Sequence, residues 1–196
     1  MNKRIIDTYL EIKHESVIAK AKLRKSDYGA KVFCIGFNKT GTTSLGKSLV
    51  QLGYRNFSFN RVIWRRKYAN NRIEDILKIA SKFDSFDDLP WLKEDMIPLL
   101  DKTFPSSKFI YLERDEESWK NSMYHWTYKK TGVYPNIDDK IKEFKAHRDF
   151  VFDYFRNRPN EDFIILNIRD KMGFKKLADF LGKESISDKF PHFNKT

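Results

Sequence analysis

The stretch Lys31-Val-Phe-Cys-Ile-Gly-Phe-Asn-Lys-Thr-Gly-Thr-Thr-Ser-Leu-Gly-Lys-Ser-Leu-Val-Gln-Leu-Gly53 constrains the fold more than any other part of the chain. Val32 to Ile35 is a short β-branched and aromatic run, the pattern of a buried strand. Leu45, Leu49 and Leu52 then recur at i, i+4 and i+7, a helical stripe closed by Gly53. Between them lies Gly36-Phe-Asn-Lys-Thr-Gly-Thr-Thr43, a turn bounded by glycine and threonine. A strand feeding a helix through such a turn leaves free backbone N–H groups at the helix N-terminus. The helix dipole reinforces their attraction for phosphate.

Two phosphate-loop registers fit these residues. Gly41-Thr-Thr-Ser-Leu-Gly-Lys-Ser48 satisfies the Walker A pattern G-x-x-x-x-G-K-[ST]. It would start the helix near Gly46 and set Lys47 and Ser48 on a nucleotide with magnesium, as in a nucleotide or small-molecule kinase. The other register makes Asn38 to Thr43 the loop, places Lys39 inside it and starts the helix near Thr42. Two features favour the second. Gly41 lies several residues beyond the end of the strand, and Leu45 already belongs to the helical stripe. A Gly-Lys-Ser on a helix surface then accounts for the Walker match.

In the favoured register, Gly36 to Leu45 resembles the phosphosulfate-binding loop of the sulfotransferases that use 3′-phosphoadenosine 5′-phosphosulfate (PAPS), in their small bacterial-type form. These enzymes move a sulfuryl group from PAPS to a hydroxyl or amine. A second stretch agrees. Phe109-Ile-Tyr-Leu112 reads as a strand, and Arg114 after it is followed eight residues on by Ser122, two turns into the next helix. This resembles the family's 3′-phosphate motif, in which a guanidinium forks onto the phosphate. Ser122-Met-Tyr-His-Trp126 also looks like the Ser-Tyr-Tyr-His-Phe of cytosolic members, and Phe190-Pro-His-Phe-Asn-Lys-Thr196 like the closing Phe-Pro-His-x-Asn of small bacterial-type ones. Asp88-Leu89-Pro90 occupies the place of the family's His-Leu-Pro, whose histidine is the general base.

The resemblance implies roles for these residues. Lys39, with Asn38, Thr40, Gly41, Thr42, Thr43 and Ser44, would bind the 5′-phosphosulfate, Lys39 neutralising the bridging oxygen as it leaves. Arg114 and Ser122 would hold the 3′-phosphate, Asp88 would take the acceptor's proton, and no metal is required. Bland readings stand beside these: an aspartate capping a helix that starts near Trp91, an Arg114–Glu117 surface pair, and a Walker-B-like strand at Phe109 to Glu113. The long carboxyl-terminal Arg-Lys-Gly nucleotide motif of cytosolic members is missing. What holds the adenine and completes the 3′-phosphate site is therefore open.

The rest of the chain sets the frame. Its 196 residues are expected to form one α/β domain over 31–196, after a basic helical extension at 1–30 packed on it. The expected fold is a three-layer sandwich, helices on both faces of about five mostly parallel strands. Strands are expected at Tyr54–Phe59, Phe83–Asp88 and Asp162–Ile168, and helices at Arg72–Phe83, Trp91–Phe104, Ile137–Arg156 and Gly173–Gly182. A net charge of +11 points to an anionic partner: the nucleotide donor and an acceptor that is itself anionic, nucleic acid being the less favoured. Arg61, Arg65, Arg66 and Lys67, interleaved with aromatics, read as a grip on such a partner or as a solvated basic face. Acceptor contacts are expected at Trp126–Lys130 and Gly132–Pro135. No apolar segment reaches the ~20 residues of a membrane span. The single Cys34 reads as a core residue in a reducing, cytoplasmic setting.

Overall fold

The computed structural model describes residues 3–23, 30–158 and 162–191. In chain order these form α1 (Lys3–Lys22), β1 (Val32–Cys34), α2 (Thr42–Gln51), β2 (Asn56–Phe57), α3 (Ile73–Ala80), β3 (Ser85–Phe86), α4 (Met96–Thr103), β4 (Lys108–Leu112), α5 (Glu116–Thr131), α6 (Ile137–Tyr154), β5 (Phe163–Leu166) and α7 (Gly173–Phe180). The strands make one sheet of five in the order β2-β3-β1-β4-β5. Every pairing is parallel, with Phe33 opposite both Phe86 and Phe109.

Period-two alternation on the strands sorts the core into two layers. Phe33, Phe109 and Tyr111 pack on one face with Ile76 and Ile79 of α3, Leu100 of α4 and Val151 of α6. There the Phe33 ring stacks on Phe86 and Phe109, with centroids 4.8 and 5.5 Å apart. Val32, Cys34, Ile110 and Leu112 point the other way, onto Leu45 and Leu49 of α2 and Phe174 and Leu177 of α7. The leucine stripe read from the sequence thus faces the sheet. Buried apolar side chains on both strand faces leave little room for polar groups, and Lys31, Asp84 and Asp87 are buried at the strand ends.

Strand order fixes where a ligand can enter. From β1 the chain crosses by α2 to the edge strand β2, whereas from β4 it leaves by α5 and α6 to the opposite edge, β5. Neighbouring strands whose connections depart in opposite directions leave a crevice at their carboxyl ends. Here those strands are β1 and β4, which precede Lys39 and Arg114.

Three expectations need correction. Residues 91–95 are turns and the helix begins only at Met96, so neither Asp87 nor Asp88 caps it. Pro98 sits in its first turn, where a missing N–H costs nothing. The expected strand at Tyr54–Phe59 shrinks to two residues, because only Asn56 and Phe57 face β3. The basic run becomes a π-helical turn, Ile63–Lys67, and three cations of the run meet carboxylates. Arg61 pairs with Asp7, Arg66 with Glu11, and Lys67 with Asp75 at 3.3 Å. α1 itself is tied down by Arg61 N–H donating to His14 Nδ1 (2.7 Å) and by burial of Ile18 and Ala21. Among the described residues no helix is long and apolar enough to cross a membrane.

Candidate active site

The turn after β1 is braced from below. Trp119 of α5, fully buried, donates its indole N–H to Asn38 O at 2.7 Å. Arg114 Nη1 donates to Lys39 O at 2.6 Å, and Thr40 Oγ1 to Phe37 O at 2.7 Å. Ser44 and Leu45 N–H both turn back to Gly41 O. With the carbonyls of residues 37, 38, 39 and 41 so occupied, the turn's free backbone valence is in its N–H groups. Those of Thr42 and Thr43, in the first turn of α2, have no intrahelical acceptor. Left-handed backbone at Lys39 (φ 72°) and Gly41 (φ 114°) produces this reversal. Together with the dipole of α2 it makes an anion cradle.

Thr40 is turned inward. Its N–H and its hydroxyl both donate to Phe37 O, so it braces the turn and does not line the cavity above. The other residues given a sulfotransferase role from the sequence do: Asn38, Lys39, Gly41, Thr42, Thr43, Ser44, Asp88, Arg114 and Ser122 border one cavity of about 1200 Å³. All five strands send residues to it past their carboxyl ends. The buried amide oxygen of Asn38 has no partner among the described residues.

The two aspartates after β3 separate cleanly. Asp87 is buried, accepts hydrogen bonds from Asn56 Nδ2 (2.5 Å) and Ser58 Oγ (2.6 Å), and lies against Gly46 of α2. Burial pushes its carboxyl up to about 6, against the pull of those two donors. Asp88, at φ 68°, faces the cavity and accepts from Leu89 N–H at 2.7 Å. Burial raises its pKa too, with the Leu89 bond and the charges of Lys130 and Lys39 opposing. Lys39 is held below the usual lysine range by burial and then by Arg114, with Asp88 acting the other way.

The Walker register finds no support in this geometry. Thr42 to Ser48 are helical, Lys47 is exposed outside the cavity, and Ser48 Oγ donates to Ser44 O at 2.9 Å one turn back. Ser122, His125, Trp126, Lys129 and Lys130 form one face of α5 along the cavity. Gly132 to Pro135 does not border the cavity; Tyr134 there stacks between Tyr124 and Tyr128. Arg114 donates to Ser118 and not to Glu117, which pairs with Lys120. Sequence reasoning missed Phe59, Leu89, Ile168 and Arg169. The last two follow directly on β5, and that position was the available signal. Of the closing motif, Phe190 packs against Phe174, while His192 to Thr196 lie outside the described residues.

Fold and site together define an open parallel α/β protein with a cation-lined cavity at the carboxyl edge of its sheet. A family profile described as a sulfotransferase domain matches residues 31–151, and the chain belongs to that family. No curated protein matches. Among solved structures 36 chains match. One is the crystal structure of a gluconokinase from Sinorhizobium meliloti 1021, 16% identical over 81% of this chain and 98% of that one, with a TM-score of 0.49.

Proposed function

We propose that the protein transfers a sulfuryl group from PAPS to a hydroxyl or amine of an acceptor. The observation that carries this reading is the gathering of Lys39, Arg114, Ser122 and Asp88 with the N-terminus of α2 around one cavity. PAPS, when bound, supplies the sulfuryl group and a nucleotide leaving group with charge at both its 5′ and 3′ ends. The N–H groups of the turn and Lys39 hold the 5′ end, and Lys39 neutralises charge growing on the bridging oxygen as the sulfur–oxygen bond breaks. Arg114 and Ser122 hold the 3′-phosphate. Asp88 accepts the acceptor's proton as its oxygen or nitrogen bonds to sulfur. Asp87, held by two hydrogen bonds, does not border the cavity and is not assigned that role.

Phe59, Leu89 and Trp126, with Lys129 and Lys130 beside them, line the remaining space. They suit an acceptor with an apolar or ring-shaped body and an acidic substituent. Lys130 Nζ already lies over the Trp126 ring at 4.4 Å, and Lys39 Nζ at 5.6 Å.

Thermal unfolding with adenosine 3′,5′-diphosphate against ATP–magnesium tests the reading without knowledge of the acceptor. At ~100 times its dissociation constant the diphosphate should add about 2.7 kcal/mol. Stabilisation by ATP–magnesium alone would transfer the assignment to a kinase.

A further inference from the structure

Two guanidinium groups face the same cavity from neighbouring strand ends, and sequence reasoning accounts for only one of them. Arg114 follows β4 and Arg169 follows β5, which lie side by side in the sheet. The segment after β5 is firmly set. Asn167 Oδ1 accepts the Arg169 N–H at 2.9 Å, closing a tight turn. Ile168 is pressed onto the phosphate turn so closely that a Cβ on Gly41 would come within 2.5 Å of its Cδ1. Arg169 is thereby held in fixed relation to the turn that Arg114 also grips.

Arg114 uses Nη1 on Lys39 O, and Nε and Nη2 on Ser118 Oγ at 3.3 and 3.2 Å. A guanidinium carries five N–H donors, so two stay available. The carboxylate facing Arg169 is Asp115, at 3.7 Å, and the other oxygen of Asp115 caps α5 through Ser118 N–H. That contact is loose and solvent-exposed, which makes it weak. Burial and the nearby charge of Arg169 both hold Arg114 below the usual arginine range, in keeping with two like charges converging on one space. Such a pair is stabilised by a doubly charged anion between its members.

Building on the PAPS reading above, we infer that Arg169 is the second cation on the 3′-phosphate, opposite Arg114, and sets the preference for nucleotides that carry that group. The short connection after β5 thus supplies this contact. The 5′ end has donors of its own in Lys39 and the N-terminus of α2.

Isothermal titration of the full chain with adenosine 3′,5′-diphosphate and with adenosine 5′-monophosphate tests this. For Arg169→Ala the diphosphate should bind about 10- to 100-fold more weakly, while the monophosphate changes by less than about threefold. Arg169→Lys should recover part of the loss, since an ammonium keeps the charge but not the fork. The monophosphate titration doubles as a check that the variant is folded. Equal losses for both nucleotides, or no loss in a protein whose wild type distinguishes them, would overturn the role of Arg169. A wild type that binds the two equally would overturn the PAPS reading itself.

Discussion

Lys39 and Asp88 are two of four non-glycine residues with positive φ among the described residues, the others being Asn71 and Ser106. Left-handed backbone at a residue with a Cβ costs on the order of 1–3 kcal/mol and persists only where the surroundings enforce it. At Lys39 the enforcing contacts are the bonds to the carbonyls of residues 37 to 39. At Asp88 the strand end, the Leu89 N–H bond and the packing of Trp91 do the same. The strain lifts both side chains out of the sheet and into the cavity. Asp87, one residue earlier, shows the alternative: it points back under α2 and serves the fold. Its pKa of about 6 in the folded protein exceeds the ordinary 3.8, so its contribution to stability is complete below about pH 4 and is lost as pH rises through about 6. The two values differ by about two pH units, worth about 3 kcal/mol. Asp87→Asn should therefore gain stability on wild type between pH 4 and pH 7 and flatten the profile. Urea unfolding at several pH values measures this, and parallel profiles for the two proteins would mean that Asp87 does not titrate in that window.

Among the elements, α2 decides between the two phosphate-loop readings, and Gly46 shows how. Glycine inside a helix usually costs about 1 kcal/mol against alanine. Here a Cβ would fall 2.1 Å from Asp87 Oδ2 and 2.7 Å from Asn56 Nδ2. The glycine lets β2, β3 and α2 close on the Asp87 carboxylate; it does not wrap a phosphate. Gly46→Ala should therefore destabilise by about 1–3 kcal/mol despite its better helix propensity, whereas Lys47→Ala, on the exposed side, should stay within about 0.5 kcal/mol. Urea midpoints for the two variants check this; a stabilised Gly46→Ala would place Asp87 elsewhere. What the sequence made legible follows the same logic. The strand–turn–helix around Lys39 and the Arg114-to-Ser122 step were readable because spacing within one element fixes them. Arg169 was not, since its place beside Arg114 depends on β5 pairing with β4, about fifty residues away along the chain. The inward turn of Thr40 depends on the left-handed backbone at Lys39, for which lysine gives no local signal. α4 starts later than its apolar pattern suggests because residues 91–95 form turns around Trp91, which the core buries completely.

Across the whole molecule, a charge of +11 is less a uniform coat than a division between paired and gathered cations. Outside the cavity, arginines meet acids: Arg55 with Asp84, Arg61 with Asp7, Arg66 with Glu11, Arg158 with Asp101. Inside it, Lys39, Arg114, Lys129, Lys130 and Arg169 share the lining with Asp88. A concave, cation-lined space focuses field on a small anion more effectively than a convex basic face holds a polymer. The π-helical turn at Ile63–Lys67 would be such a face if α1 did not lay Asp7, Glu11 and Glu15 along it. α1 thus acts as an electrostatic cover, and removing its charges should expose a latent polyanion surface. Exposed ion pairs contribute about 0–1 kcal/mol each, so the double variant Asp7→Asn/Glu11→Gln should stay folded. Fluorescence anisotropy of a labelled single-stranded DNA against salt reads the outcome. Wild type should bind weakly, and the double variant more tightly at low salt. Two freed cations should steepen the log–log salt slope by about 1.4. Affinity for adenosine 3′,5′-diphosphate should be unchanged, because the cavity lies at the carboxyl ends of the strands and takes no lining from α1. If wild type already binds DNA as tightly and as steeply as the variant, α1 does not neutralise Arg61 and Arg66, and a nucleic-acid role for this face regains its footing.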